Sequence, residues 1–317
     1  MDQHDALALF SSTRPVVLDG AMATELEKRG VDTAQPLWSA VAMRDCPEAI
    51  VAVHRSYLDA GALVLTTNSY QASVPTLLAA GLDEATAQAM VRDSARLALL
   101  AREQWRADGG SGTALVAGSI GPYGAHLADG SEYTGDYRLE AGQYEDFHRE
   151  RIALLVAEGV DLLAVEAQPR LDEVQAVLGL VAREFPDVAV TVSFSLGEDG
   201  RLPAGGDQDL SLAQAVQAVQ QDPRVLAVGV NCVPRDLVAG AVAEMAAVAD
   251  RPLLVAPNSG ERYDPVTKTW SEGDPSQQLE VLVPQWLASG AWVVGGCCRT
   301  SPSTIMTVRE LLADGGS

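Results

Sequence analysis

Residues 291–298 read AWVVGGCC. An apolar, β-branched run breaks off in two glycines, and two adjacent cysteines follow. The run is too short for a helix and shows no polar–apolar alternation, so it reads as a strand buried on both faces. Seven other stretches share its shape: PVVLDGA (15–21), ALVLTTNSY (62–70), ALVAGSIGP (114–122), DLLAVEA (161–167), VAVTVSFSL (188–196), LAVGVNC (226–232) and PLLVAPNS (252–259). Segments with helical periodicity lie between them. In DCPEAIVAVHRSYLDAG (45–61), Pro47 marks a helix start, Ile50, Val53 and Tyr57 share a face, and Gly61 marks the stop. DEATAQAMVRDSARLALLARE (83–103), with Met90, Ala95, Leu97 and Leu100 among polar residues, SLAQAVQAVQQD (211–222) and VAGAVAEMAAVAD (238–250) read the same way.

Strands of this kind alternating with amphipathic helices argue for a parallel sheet with helical crossovers. Eight such units in 317 residues predict an α/β fold of the (β/α)8 TIM-barrel type, with a doubly wound open sheet as the alternative. No low-complexity linker or charge block divides the chain, so residues 1–317 are expected to form one domain. A barrel collects its chemistry at the C-terminal ends of its strands. Those ends carry Asp19, Asn68 and Ser69, Ser119, Glu166, Ser195, Asn231 and Cys232, Asn258 and Ser259, and Cys297 with Cys298.

Three of the four cysteines therefore fall at strand ends, on the sixth and eighth runs. Strand neighbours lie about 4.8 Å apart, so ends separated by a single strand can reach one ion. Zinc favours thiolate ligands, and three protein ligands with one open position mark a catalytic site. Adjacent residues on a regular strand point to opposite faces. Gly295 and Gly296 are thus expected to supply the backbone angles that turn both Cys297 and Cys298 toward one centre. The competing readings are small buried hydrophobes, or a strained vicinal disulfide. Cys46, before Pro47, reads as structural. His54 and His148 fall in helical stretches and His126 in a loop, with no cluster among them. GSIGPYG (118–124) is a poor match to a phosphate loop or a dinucleotide fingerprint.

Composition narrows the partners. The chain is 47% hydrophobic and 21% charged, ordinary for a globular protein, and its formal net charge is −21. Such a surface repels phosphate backbones and anionic bilayers, so neither nucleic acid nor membrane is an expected partner. No apolar run has the length of a membrane span, and the start of the sequence lacks the pattern of a secretory leader. The expected location is the cytoplasm, where thiols stay reduced.

The sequence resembles the homocysteine S-methyltransferase family, and within it the enzymes that use S-methylmethionine. The resemblance spans nearly the whole chain and rests on VLDGAMATELEKRG (17–30), PLWSA (36–40), NSYQAS (68–73), VAGSIGPYGAHLADGSEYTGDY (116–137), GVNC (229–232), APNSGERYD (256–264) and GGCCRT (295–300). It implies the barrel fold and one Zn2+ held by Cys232, Cys297 and Cys298. It implies homocysteine as methyl acceptor, its ammonium held by Asp19 and Glu166, and methionine as product. After Glu166 the family commonly has Thr-x-Pro, whereas this chain has Ala167, Gln168 and Pro169, which leaves the shape of the amino-acid pocket open. The methyl donor would be a sulfonium, S-methylmethionine before S-adenosylmethionine. Trp38, Ser69, Tyr133 and Asp136 are the further substrate-binding candidates, with Tyr123 and Glu132 nearby. The alternatives are a selenocysteine or other thiol acceptor at the same site, and a non-catalytic zinc- or redox-sensing barrel that would have no use for the two acids. Small-molecule partners are expected; monomer and dimer remain open.

Overall fold

A computed structural model describes residues 3–33, 38–203, 210–261, 263–264, 269–270 and 278–314. All eight apolar runs are strands of one parallel sheet: Val16–Val17, Val64–Thr66, Leu115–Ile120, Leu162–Gln168, Ala189–Phe194, Val225–Asn231, Leu253–Ala256 and Ala291–Val294. They are counted here as the first to the eighth strand. The sheet runs from the first strand to the eighth and then back down to the second. It closes because the Leu63 N–H donates to Val17 O at 2.8 Å and the Asp19 N–H donates to Val64 O at 3.1 Å. The architecture is the (β/α)8 barrel, and the open-sheet alternative is set aside.

The runs lack alternation because both faces of every strand are covered. Outward residues such as Val17, Leu65, Val116 and Val255 pack on the helices. Inward residues form a second cluster in which Ala117, Ala164, Ala189, Ala227 and Ala256 alternate with Val and Leu side chains such as Val64, Leu115, Leu162 and Leu254. The helix Gln3–Phe10 brings Ala6 (0% exposed) and Phe10 (3% exposed) into the same inner cluster. The lumen above Phe10 holds a cavity of about 40 Å³, with Asp19, Thr66, Glu166, Ser193 and Asn231 among its walls.

The helices follow their local signals. Pro47–Ala60 opens on Pro47 and ends at Gly61, which is left-handed at φ 102°. Ala141–Glu158 opens with a capping box between Glu140 and Gln143. Leu212–Val219 and Arg235–Ala246 take up the other two periodic segments. In Glu84–Ala107 the buried stripe is Ala87, Met90, Val91, Ser94, Ala95, Ala98 and Ala101, so Met90 and Ala95 face the core as expected while Leu100 faces solvent. Leu97 and Leu99 pack against the edge of the same core. Among the described residues, no helix is long and apolar enough to cross a membrane.

Candidate metal and substrate site

Cys232 follows the sixth strand, and Cys297 and Cys298 follow the eighth, with only the seventh strand between them. Their three Sγ atoms lie within 4.8 Å of one another, and Cys232 Sγ is 3.7 Å from Cys298 Sγ. Two ligands at 2.3 Å from one tetrahedral zinc would have their sulfurs about 3.8 Å apart. The donor set and the spacing therefore suit such an ion.

Local backbone bonds build the cluster. The Cys232 N–H donates to Ala256 O at 3.0 Å and the Cys297 N–H to Pro257 O at 2.8 Å. The Cys298 N–H donates to Asn258 Oδ1 at 3.1 Å, so the seventh-strand end ties the sixth to the eighth. The expectation for the two glycines needs correcting. Neither Gly295 nor Gly296 is left-handed; the positive φ values here are at Cys232 (56°) and Arg299 (62°). The glycines serve close approach instead. A Cβ on Gly295 would sit 2.5 Å from Leu18 Cβ, and one on Gly296 would sit 2.4 Å from Thr300 Oγ1. Thr300 needs that place because its hydroxyl donates to Cys297 O at 2.6 Å and accepts from the Ala21 N–H at 3.2 Å.

The three sulfurs act as one titrating unit. A Cys298 thiolate would accept hydrogen bonds from Cys232 and Cys297, which holds its pKa well below the usual thiol value. Hydrogen bonding to Cys297 and Cys298, followed by burial, pushes Cys232 up. Ionisation at one sulfur thus opposes it at the next.

Asp19 and Glu166 face the same mouth from the first and fourth strands, and both line the cavity above Phe10. Asp19 is 6% exposed and accepts from Thr66 N–H at 2.7 Å and from Thr66 Oγ1 at 3.0 Å. Glu166 accepts from Ser119 Oγ and, at 3.2 Å, from Asn231 Nδ2. Burial pushes Asp19 up to about 8, against the Thr66 bonds, and the charge of Glu166 adds to the rise. Burial likewise pushes Glu166 up to about 7, against the Ser119 bond. Two such carboxyls lining one cavity suit a cationic group, which would offset the burial that raises both. The departure after Glu166 is accommodated: Ala167 is left-handed at φ 50°, its N–H donates to Asn231 Oδ1 at 2.7 Å, and Gln168 Nε2 donates to Ile120 O at 3.0 Å.

The remaining candidates separate. Tyr133 lies within electrostatic reach of the cysteines; burial and then the Cys232 charge push its phenol up. Ser69 is fully buried, its hydroxyl donating to Ser119 O at 2.8 Å and lying 2.7 Å from Thr67 Oγ1, so it braces the second and third strand ends. Asp136 is exposed. Trp38 opens the turn Trp38–Val41, which Ser39 and Asn68 pin through bonds of 2.7 and 2.8 Å; its side chain lies outside the described residues. Tyr70 was not singled out from the sequence, although it directly follows Asn68 and Ser69. Burial and then the Cys232 charge raise its phenol as well.

Comparison with known proteins matches this geometry. A sequence model described as homocysteine S-methyltransferase matches residues 16–312. The chain is 43% identical over 312 residues to the homocysteine S-methyltransferase of Escherichia coli K12, covering 98% of this chain and 99% of the relative. It is 36% identical over 327 residues to a selenocysteine methyltransferase of Astragalus bisulcatus, covering 98% and 96%. The crystal structure of the homocysteine methyltransferase MmuM from E. coli in its metallated form superposes with a TM-score of 0.86 at 40% identity, covering 96% of this chain and 99% of that one.

Proposed function

The chain belongs to the homocysteine S-methyltransferase family, and from that premise we propose that it moves a methyl group from a sulfonium, S-methylmethionine in preference to S-adenosylmethionine, to the thiol of homocysteine. Cys232, Cys297 and Cys298 would hold one zinc ion; when bound, it would supply the Lewis acidity that keeps an acceptor thiol ionised near neutral pH. One observation carries the reading. Three sulfurs within 4.8 Å share the barrel mouth with two carboxyls, Asp19 buried and Glu166 half-buried. A metal store or redox sensor needs the sulfurs but not the acids.

The residues then have distinct tasks. Asp19 and Glu166 bind the acceptor's ammonium, which offsets the burial that now disfavours their charge. Thr66, Ser119 and Asn231 fix the carboxylates, so the amino-acid end is anchored and its thiol is directed toward the sulfur cluster. Tyr70 and Tyr133 stay un-ionised beside the sulfurs and offer ring faces to the donor cation. In the transfer, the acceptor sulfur's electron pair forms the new S–CH3 bond while the donor's S–CH3 bond breaks toward the sulfonium sulfur. The thiol proton is released, and both organic products are neutral thioethers. Opposite charges vanish as the bond forms, so a site that excludes water favours the step. A reducing compartment such as the cytoplasm keeps the three thiols available.

The test follows methionine formation from homocysteine by zinc-loaded protein. S-methylmethionine and S-adenosylmethionine are offered separately, selenocysteine replaces homocysteine in a third arm, and a Cys298→Ala variant runs alongside. Turnover with S-methylmethionine that is lost in the variant is the expected result. Absence of turnover with either donor, in protein carrying one zinc per chain, would overturn it.

A further inference from the structure

Behind the third and fourth strands the helices bury charges that the site chemistry does not use. Arg151 (1% exposed), His148 and Glu173 (both 0%) form a chain between Ala141–Glu158 and Leu171–Glu184. Arg151 Nη2 lies 2.7 Å from His148 Nδ1, and His148 Nε2 lies 2.8 Å from Glu173 Oε1. Because Arg151 can only donate, Nδ1 accepts and Nε2 carries the proton toward Glu173. His148 is therefore a neutral link between a cation and an anion, as its burial also favours.

Both ends of this chain hold backbone of the barrel mouth. Arg151 donates to Tyr70 O at 2.9 Å, Ser69 O at 3.4 Å and Gly121 O at 2.7 Å, joining the loops after the second and third strands. Glu173 accepts from the Tyr123 N–H at 2.6 Å and the Tyr137 hydroxyl at 2.5 Å, near the two ends of the loop 121–137. The loops also meet directly, since a Cβ on Gly121 would lie 2.5 Å from Tyr70 O. A buried ion pair is poor evidence for stability, because apolar residues of the same volume often do as well. What apolar residues cannot do is orient five named groups on two loops. Those loops carry Tyr70 and Tyr133, both within electrostatic reach of Cys232, whereas the acceptor's anchors stand on the strand ends themselves.

We infer that Arg151, His148 and Glu173 are positioning residues that fix the loop after the second strand and the loop 121–137 as one wall of the donor site, and so set the affinity for the sulfonium. The inference rests on the methyl-transfer reading above. It makes the donor side of the mouth adjustable from the helix layer, independently of the metal and acceptor sites.

The experiment uses the zinc-loaded full chain with Tyr137→Phe, which removes one loop contact and keeps the ionised chain, and with Glu173→Gln. Steady-state constants are measured separately for S-methylmethionine and homocysteine, together with zinc content and amide hydrogen exchange. Loss of one hydrogen bond to a charged group predicts a donor KM raised about tenfold in Tyr137→Phe, with the homocysteine KM within about twofold and zinc content unchanged. Exchange should quicken in 121–137 and not in the strands. A wild type that turns over while both variants keep the wild-type donor KM overturns the inference, as does an equal rise in both KM values. A wild type inactive with every sulfonium would instead sink the methyl-transfer reading. The hold on the loop is then decided by exchange alone, and unchanged exchange in both variants would refute it.

Discussion

Asp19 keeps a carboxyl group where its charge is disfavoured, and this has a measurable cost when no substrate ammonium is present. Its pKa is raised from 3.8 to about 8, so between those values the folded protein binds more protons than the unfolded chain. Stability supplied by such a group is complete below the unfolded value and declines as pH rises through the folded one. Glu166 acts in the same direction with an upper limit of about 7. Urea midpoints of the substrate-free protein should fall from pH 5 to pH 8.5. Asp19→Asn should flatten that slope and be the more stable protein at pH 8, while raising the homocysteine KM at least about tenfold, the scale of a lost charge-assisted bond. A steeper slope in the variant would contradict this account. The cysteines allow a second test. Cys232 and Cys298 are 3.7 Å apart, whereas adjacent cysteines close only a strained ring. Metal-free protein left in air should link Cys232 to Cys298, and peptide mapping that finds Cys297 joined to Cys298 instead would refute it.

At the scale of the element, the eighth strand shows how far sequence reading reaches. Its apolar run, its place among eight such runs and its terminal sulfurs were legible, because buried parallel strands and soft-metal ligands have compositional signatures. The reason for the glycines was not. Their constraint comes from Leu18 and Thr300, and Leu18 lies more than 270 positions away along the chain. Gly295→Ala should therefore force the first and eighth strands apart, costing about 1–3 kcal/mol by overpacking. It should weaken metal binding through the movement of Cys297 and Cys298, as read by competition with a chelator. A variant with wild-type melting and metal affinity would return the glycine to a purely conformational role. The charged residues of Ala141–Glu158 and Leu171–Glu184 were illegible for another reason. Arg151 and Glu173 sit in amphipathic patterns where charges ordinarily face water, and only the tertiary fold turns them inward.

Across the whole molecule, the two ends of the barrel do different work. The mouth gathers polar groups from nearly every strand, while the floor is closed by Phe10 from the opening helix. The mouth could be anticipated from strand-end residues. The floor could not, because the helix Gln3–Phe10 has no signature that distinguishes a plug from a surface segment. Phe10→Ala should cost about 3–5 kcal/mol, as deletion of a buried aromatic does. It should leave zinc stoichiometry and both substrate constants near wild type, since the mouth is held by its own bonds. Substrate constants that worsen in step with the melting temperature would show instead that floor and mouth are coupled.

The seam of the barrel carries a consequence for biosynthesis. The first and second strands pair directly, yet the eighth must slot between the first and the seventh before the wall is continuous. A ribosome delivers Asp19 early, Cys232 much later, and the last two sulfurs with the final strand. Until that strand emerges, the nascent chain presents a single cysteine of the trio and cannot chelate. With Cys232, Cys297 and Cys298 as the ligands proposed above, metallation would wait for the eighth strand, whose insertion completes both the wall and the sulfur cluster.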